Sequence, residues 1–233
     1  LSAEEIAAAE TVNVSSAAIT SLRGIENLTA LKELWCDGTQ ITELDISSNT
    51  RLERLDCGGT KLTELNVNSN PGLVEIGIYN TDISRIDISR NQALECLNCR
   101  DTGLTELDLS GNPALTQLEI SNTDVSGIDI SENTGLEIVS CAGTRLAYID
   151  VSGCDPDMLQ LDCSNCAYPI SSTATEFDMT TIPGIDISRI TYTGDTASFD
   201  SATGVFSSIT GNITYTYDCG NGLTADFTLT RTL

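Results

Sequence analysis

Two Cys-x-x-Cys pairs, Cys96/Cys99 and Cys163/Cys166, are the residues whose type and spacing could most readily do chemistry. Such pairs hold zinc through thiolates or cycle between dithiol and disulfide. A second arrangement is a run of acids at one spacing: Asp45, Asp87, Asp108, Asp129 and Asp150, with Asn66 completing the series. Carboxylate oxygens suit hard divalent cations. The plainer reading is a solvated face screened by salt, and the Gly-rich calcium signature of β-roll repeats is missing. The chain has no histidine, which removes the commonest general base, the commonest zinc ligand and every Ser-His or Cys-His couple. No His or Lys activator is evident for Cys96. Without a nucleophile motif or a Gly-rich phosphate loop, no catalytic residue, metal or cofactor is expected, and the chain reads as a non-enzyme.

The charge balance narrows the partners. The 233 residues carry 11 Lys+Arg against 34 Asp+Glu, a formal net charge of −23. Phosphate backbones and anionic lipid surfaces repel such a chain, so nucleic acid is excluded as a general partner. No apolar run approaches the roughly 18 residues of a membrane span. No basic n-region followed by an apolar stretch opens the sequence, so a signal peptide is expected to have been removed or never present. The nine cysteines are odd in number, leaving at least one thiol unpaired or bridged elsewhere.

Both candidate arrangements sit inside a repeat, and the repeat must position them. Copies begin at Val12, Leu34, Leu55, Ile76, Leu97, Leu118, Val139 and Leu161, in steps of 22, 21, 21, 21, 21, 21 and 22 residues. Each fits L-x-(L/C/I)-x-x-T-x-L-x-x-L-x-(L/I/V)-x-x-N-x-x-L, the leucine-rich-repeat pattern and period. One copy cannot bury its own apolar face; a stack forms a continuous core. Four inward ladders follow, represented in one copy by Leu97, Leu104, Leu107 and Leu109. Alternation in the first five residues of each copy predicts a short strand. The LDIS segments also alternate, which predicts an extended rather than helical opposite side. The Thr series 39, 60, 81, 102, 123, 144 and the Asn series 49, 70, 91, 112, 133 are read as structural corner ladders.

The opening copy, ITSLRGIENLTALKEL, resembles the 22-residue repeat of the internalins, bacterial surface adhesins. The 21-residue copies are similar to a variant in surface proteins of gut bacteria. This resemblance spans about residues 12–166. It implies a mainly β, curved solenoid with a concave parallel sheet, in a secreted or surface-attached bacterial protein located outside the cell. Residues 167–233 resemble the tail of gut-bacterial leucine-rich-repeat proteins and are expected to form a small antiparallel β module. Strands are expected over 185–192, 212–217 and 223–230, with hairpin turns at Gly220-Asn221-Gly222 and Ala202–Gly204. At the other end Ser2 and Glu5 form a capping box, with Leu1 and Ile6 as a staple, predicting a helical cap within 1–11, over about residues 3–10.

The register dissolves the cysteine motif. Cys36, Cys57, Cys99, Cys141 and Cys163 occupy a column that also accepts Val14, Ile78 and Ile120. Free Cys packs as a small hydrophobe, so this is a core column. Cys96 takes the place of Glu33, Arg54 and Glu75 and faces the other way, so Cys96 and Cys99 cannot share a metal. Cys154, Cys163 and Cys166 are the better candidates for a disulfide cluster.

Three outward columns remain on the concave face, and their residues vary between copies where the inward ladders do not. Trp, Tyr and Arg dominate interface hot spots. Trp35, the one Trp of the chain, is expected to be exposed, and Trp35, Arg54, Tyr79 and Arg100 run diagonally across four repeats. With Asp56, Asn98 and Glu119 they form the candidate surface for a protein or glycan partner on a monomeric module. The competing reading is a rigid spacer within a larger cell-surface protein, with no ligand on this face.

Overall fold

A computed structural model describes residues 8–155 and 157–232. Eight three-residue strands form one parallel sheet in strict chain order. They are β1 (Thr11–Asn13), β2 (Glu33–Trp35), β3 (Arg54–Asp56), β4 (Glu75–Gly77), β5 (Cys96–Asn98), β6 (Gln117–Glu119), β7 (Ile138–Ser140) and β8 (Gln160–Asp162). Register runs column on column: Trp35 pairs with Asp56, Asp56 with Gly77, and Gly77 with Asn98. No α-helix lies among the described residues; one 3-10 turn, Ile25–Asn27, interrupts the first repeat. The predicted N-terminal helix falls largely on residues 1–7, outside the described residues, and Ala8–Glu10 are not helical.

The core is the predicted stack. Leu34, Leu55, Ile76, Leu97, Leu118 and Val139 are all at most 1% exposed, and the ladders through Leu104 and Leu109 are equally closed. Two details differ from the repeat pattern. Leu161, the last member of the first ladder, is only partly buried, because no ninth repeat covers it. The ladder through Leu44, Ile86 and Ile128 is partly exposed at those three copies but buried at Leu65 and Leu107, so the pattern marks a seam at the edge of the core there. Its last member, Ile149, is fully buried.

Polar ladders hold the corners. Each Thr donates to the carbonyl three residues earlier, at 2.7–2.8 Å from Thr39 to Thr144. Each Asn amide donates twice, to the carbonyls 21 and 24 residues earlier; Asn112 reaches Asn91 at 2.8 Å and Ile88 at 3.0 Å. The residue before each Thr lies in the left-handed region: Gly38, Gly59, Asn80, Asp101, Asn122 and Gly143. Only Gly, or a side chain that bonds its own backbone, adopts that conformation cheaply.

The acid series is structural too. The Oδ1 atoms of Asp45, Asp87, Asp108, Asp129 and Asp150 accept the backbone N–H two residues on, at 2.9–3.0 Å, as does Asn66. These are Asx turns, and their hydrogen bonds with the following Ser hold the Asp108 carboxyl below its ordinary range. A lowered folded-state pKa means the contribution is present above the unfolded value and lost as pH falls through the folded one. Asp108→Asn will therefore leave the Tm unchanged near neutrality and flatten its acid limb. Asp108→Ala will lower the Tm at both pH values, read by thermal denaturation followed by circular dichroism.

Beyond β8 the chain forms two small sheets. One joins β10 (Glu176–Asp178), β13 (Val205–Ser207) and β12 (Ser198–Asp200). The other has the order β11 (Ile190–Thr191), β14 (Ile213–Gly220), β15 (Leu223–Thr232), β9 (Ala167–Ser171). The expected hairpins at Ala202–Gly204 and Gly220-Asn221-Gly222 connect β12 to β13 and β14 to β15. The second sheet is mixed rather than wholly antiparallel, since β9 pairs parallel with β15. The run 185–192 is mostly not strand: Asp186 caps a 3-10 turn over Ile187–Arg189 through a bond to the Ser188 N–H, leaving two residues to pair.

This module closes the seam at its end. Tyr217 packs its ring 5.4 Å from Tyr148, Arg189 pairs with Asp150 at 2.9 Å, and the Tyr215 hydroxyl donates to the Ala147 carbonyl. Asn221 donates to the carbonyls of Val151 (2.9 Å) and Cys154 (2.7 Å). Those are the atoms that the Asn of a further repeat would reach, since Val151 and Cys154 lie 21 residues beyond Ile130 and Asn133. A turn residue from another fold unit thus supplies the next rung.

Candidate functional site

The concave sheet places its side chains by strand alternation. In β2 to β7 the central residue is buried between two neighbours on the outer face, as with Cys96, Leu97 and Asn98. Cys96 and Cys99 accordingly part: Cys99 is fully buried, whereas Cys96 is half-buried and lies 3.8 Å from the Gln117 side-chain oxygen. Burial, and then Glu75, raise the Cys96 pKa, which keeps a protonated thiol and no nucleophile. The candidate cluster of Cys154, Cys163 and Cys166 assembles only in part: Cys163 and Cys166 lie within side-chain hydrogen-bond reach of each other, beside Cys141, and Cys154 stands apart. Cys154 stands at the Asn corner, 3.9 Å from the Asn133 carbonyl, while Cys163 meets Cys141.

Among the proposed surface residues, Asp56, Tyr79 and Arg100 come together. The Tyr79 hydroxyl points at Asp56 Oδ2 (3.4 Å), and the Arg100 guanidinium lies 5.5 Å from the ring centroid. The ring lies down on the sheet because Gly58 leaves room: a Cβ there would be 2.4 Å from Tyr79 Cζ. Gly77 opens the neighbouring position, where a Cβ would meet Asp56 Oδ1 at 3.0 Å and Tyr79 Cε1 at 3.5 Å. Sequence reading passed over both glycines as site residues. The available signal was a side chain missing from two adjacent rungs just before a Tyr. Burial, then Asp56 and Asp37, push the Tyr79 phenol up to about 12. Desolvation likewise raises the Asp56 carboxyl, with the charges of Asp37 and Glu75 adding to it against the Gly58 N–H and the Tyr79 hydroxyl.

The remaining candidates are held elsewhere. Trp35 is half-buried, not exposed, and is the register partner of Asp56. Arg54 leaves the expected diagonal and bridges Glu33 (3.0 Å) and Glu75 (3.6 Å) in its own column. Asn98 accepts from the Arg100 N–H at 3.2 Å and Glu119 from the Ser121 N–H at 3.1 Å, so these two serve the backbone. Asp56 makes the same bond, accepting from the Gly58 N–H at 3.0 Å, so this turn bond recurs along the middle column.

A cleft of about 780 Å³ lies away from this surface, among Leu22, Leu44, Leu65, Arg23, Glu43 and Asp45 along the seam. Among the described residues no group of three or more His, Cys, Asp or Glu is arranged to hold a metal. No helix of the described residues is long and apolar enough to cross a membrane.

Parallel rungs, a closed ladder core and Asn and Thr corner ladders define a leucine-rich-repeat β-solenoid with a capping β module. Its likeness is to the internalins. An internalin of Listeria monocytogenes (inlF) matches with a TM-score of 0.59 and 26% identity, over 66% of this chain and 46% of that one. A leucine-rich-repeat protein of Leptospira interrogans matches with a TM-score of 0.57 and 20% identity, over 59% and 38% of the two chains. Internalin C2 of Listeria monocytogenes gives 0.52 and 18%, over 66% and 79%. The chain thus spans less than half the length of the first two of these proteins. No family model matches the chain, and the search of curated proteins gives no match.

Proposed function

We propose that this chain is a non-catalytic binding module of a secreted or surface-attached bacterial protein, and that it docks a protein partner on its concave face. One observation carries the reading: the Tyr79 ring is laid over Gly58, held between Asp56 and Arg100. A rigid aromatic plate with a carboxylate at one end and a guanidinium over its face offers apolar area and two charge-assisted hydrogen-bond sites at low entropic cost. The likeness to internalins supports a surface protein. A glycan would use the same plate by stacking.

The spacer reading draws support from Asn98 and Glu119, whose side chains bond to their own turns. The two readings separate in one experiment. Bacterial and host surface extracts are passed over the immobilised chain, and retained partners are compared with those of Trp35→Ala/Tyr79→Ala. The binding reading expects at least a tenfold loss of affinity in a variant that remains folded at the assay temperature. A partner held equally by the double variant would place the site elsewhere.

A further inference from the structure

Cys141 and Cys163 stand on consecutive rungs with their Sγ atoms 2.8 Å apart. Parallel neighbours are about 4.8 Å apart between Cα atoms, inside the window of about 4.4–6.8 Å that a disulfide spans. The register carries the two residues side by side, because Ser140 pairs with Asp162 and the Cys141 N–H donates to the Asp162 carbonyl at 2.8 Å. The other consecutive pair of the column behaves differently: the Cys57 thiol turns to the Gly77 carbonyl at 3.4 Å. What separates the pairs is position. Cys141 and Cys163 are joined by the 22-residue step that ends the array, and no further rung covers Cys163. Residue exposure follows, 0% at Cys141 and 6% at Cys163.

We propose that Cys141 and Cys163 are an intramolecular disulfide site that staples the last two rungs under oxidising conditions. The oxidant is a small-molecule disulfide, RSSR. The Cys163 thiol loses its proton and its sulfur attacks RSSR, expelling one RS⁻, which takes up that proton. The Cys141 thiol then loses its proton and attacks Cys163 Sγ, expelling the second RS⁻, which is protonated in turn. Two S–H bonds and one S–S bond are consumed, one protein S–S bond forms, and RSSR is reduced to two RSH. Entry is through Cys163, the less deeply buried of the two, on the last rung of the array. Hydrogen bonding to its neighbours, with burial, holds the Cys141 thiol well above its ordinary range, and Cys163 is raised too, its contact with Cys141 lowering it but Cys166 and burial outweighing that, so both steps are slow at neutral pH and quicken in mild alkali. Cys166, 3.2 Å from the Cys141 carbonyl and from the Thr144 hydroxyl, is the competing thiol.

The test incubates the whole chain with oxidised glutathione near pH 8.5, blocks free thiols under denaturing conditions, and maps peptides by mass spectrometry. The expected product has lost two hydrogen masses and links Cys141 to Cys163, with Cys36, Cys57 and Cys99 alkylated. Its Tm rises by roughly 5 °C over the reduced chain. Cys163→Val, a residue type the column already holds at Val14, removes both effects, and Cys57→Val keeps both. The untouched chain alone decides if a variant misfolds. No cross-link, a stable mixed glutathione disulfide, or a Cys163–Cys166 bond would overturn the assignment. A Cys141–Cys163 bond without a Tm rise would overturn the staple.

Discussion

Asn112→Asp will destabilise the chain by more than about 3 kcal/mol at neutral pH, although the two side chains have the same size. Asn112 is fully buried, and its amide gives one hydrogen to the Ile88 carbonyl and one to the Asn91 carbonyl. A carboxylate has no hydrogen to give and would set a buried charge against two acceptors. Asn112→Ala removes the same two bonds without adding a charge. Both carbonyls keep a backbone donor, from Asn91 N and Leu94 N, so the Ala variant should cost about 2 kcal/mol. The Asp variant's pKa is raised in the fold, so its penalty shrinks as pH falls and the carboxyl regains a donor. Thermal unfolding checks the order. The Ala variant should melt roughly 4–8 °C below wild type, with the Asp variant lower still. Equal Tm values for Asp and wild type would mean that the ladder is not made of donated amide hydrogens.

Gly58→Ala is the second large effect, and it tests the packing of the proposed binding surface without needing a partner. The new Cβ would lie 2.4 Å from the ring carbon of Tyr79, so the ring must lift off the sheet. The backbone at Gly58 is not left-handed, so the strain comes from the ring alone. Overpacking of this kind costs about 1–3 kcal/mol. In a Tyr79→Ala background the same substitution should cost almost nothing, and that non-additivity is the signature to measure. Lifting the ring also ends its burial beside Asp56 and Asp37, so the phenol titration returns from about 12 toward the ordinary tyrosine range, read by ultraviolet absorbance. The sign is fixed by the raised folded-state pKa. Stability from Tyr79 is present below the unfolded value near 10 and lost as pH rises toward the folded one. Wild type should therefore lose stability across that alkaline window, and Gly58→Ala should lose less. Additive costs with an unmoved titration would mean that the ring does not rest on Gly58.

Much of this molecule is legible in one dimension because a solenoid is nearly one-dimensional. Each rung touches only the rungs beside it, so a fixed step of 21 residues converts sequence position directly into a spatial column. The eight strands, the buried faces of Leu97 and Cys99, the outward face of Cys96 and the structural Thr and Asn ladders all follow from that step. Three kinds of fact do not. Side-chain direction on an open surface is chosen by local partners. That is why Arg54 joined Glu33 and Glu75 instead of the aromatic diagonal, and why Asn98 and Glu119 turned to their own backbone. A missing side chain has no signal of its own, so the space over Gly58 had meaning only once the Tyr79 ring was seen lying in it. The ends of the array break the translational rule altogether. Asn221 lies 67 residues after Cys154 in the chain, yet it fills the next rung of the Asn ladder, and the same module buries Ile149 while leaving Leu161 partly open. Periodicity specifies what repeats. What stops the repeat is set by contacts between segments distant in sequence, and only the folded chain brings those together.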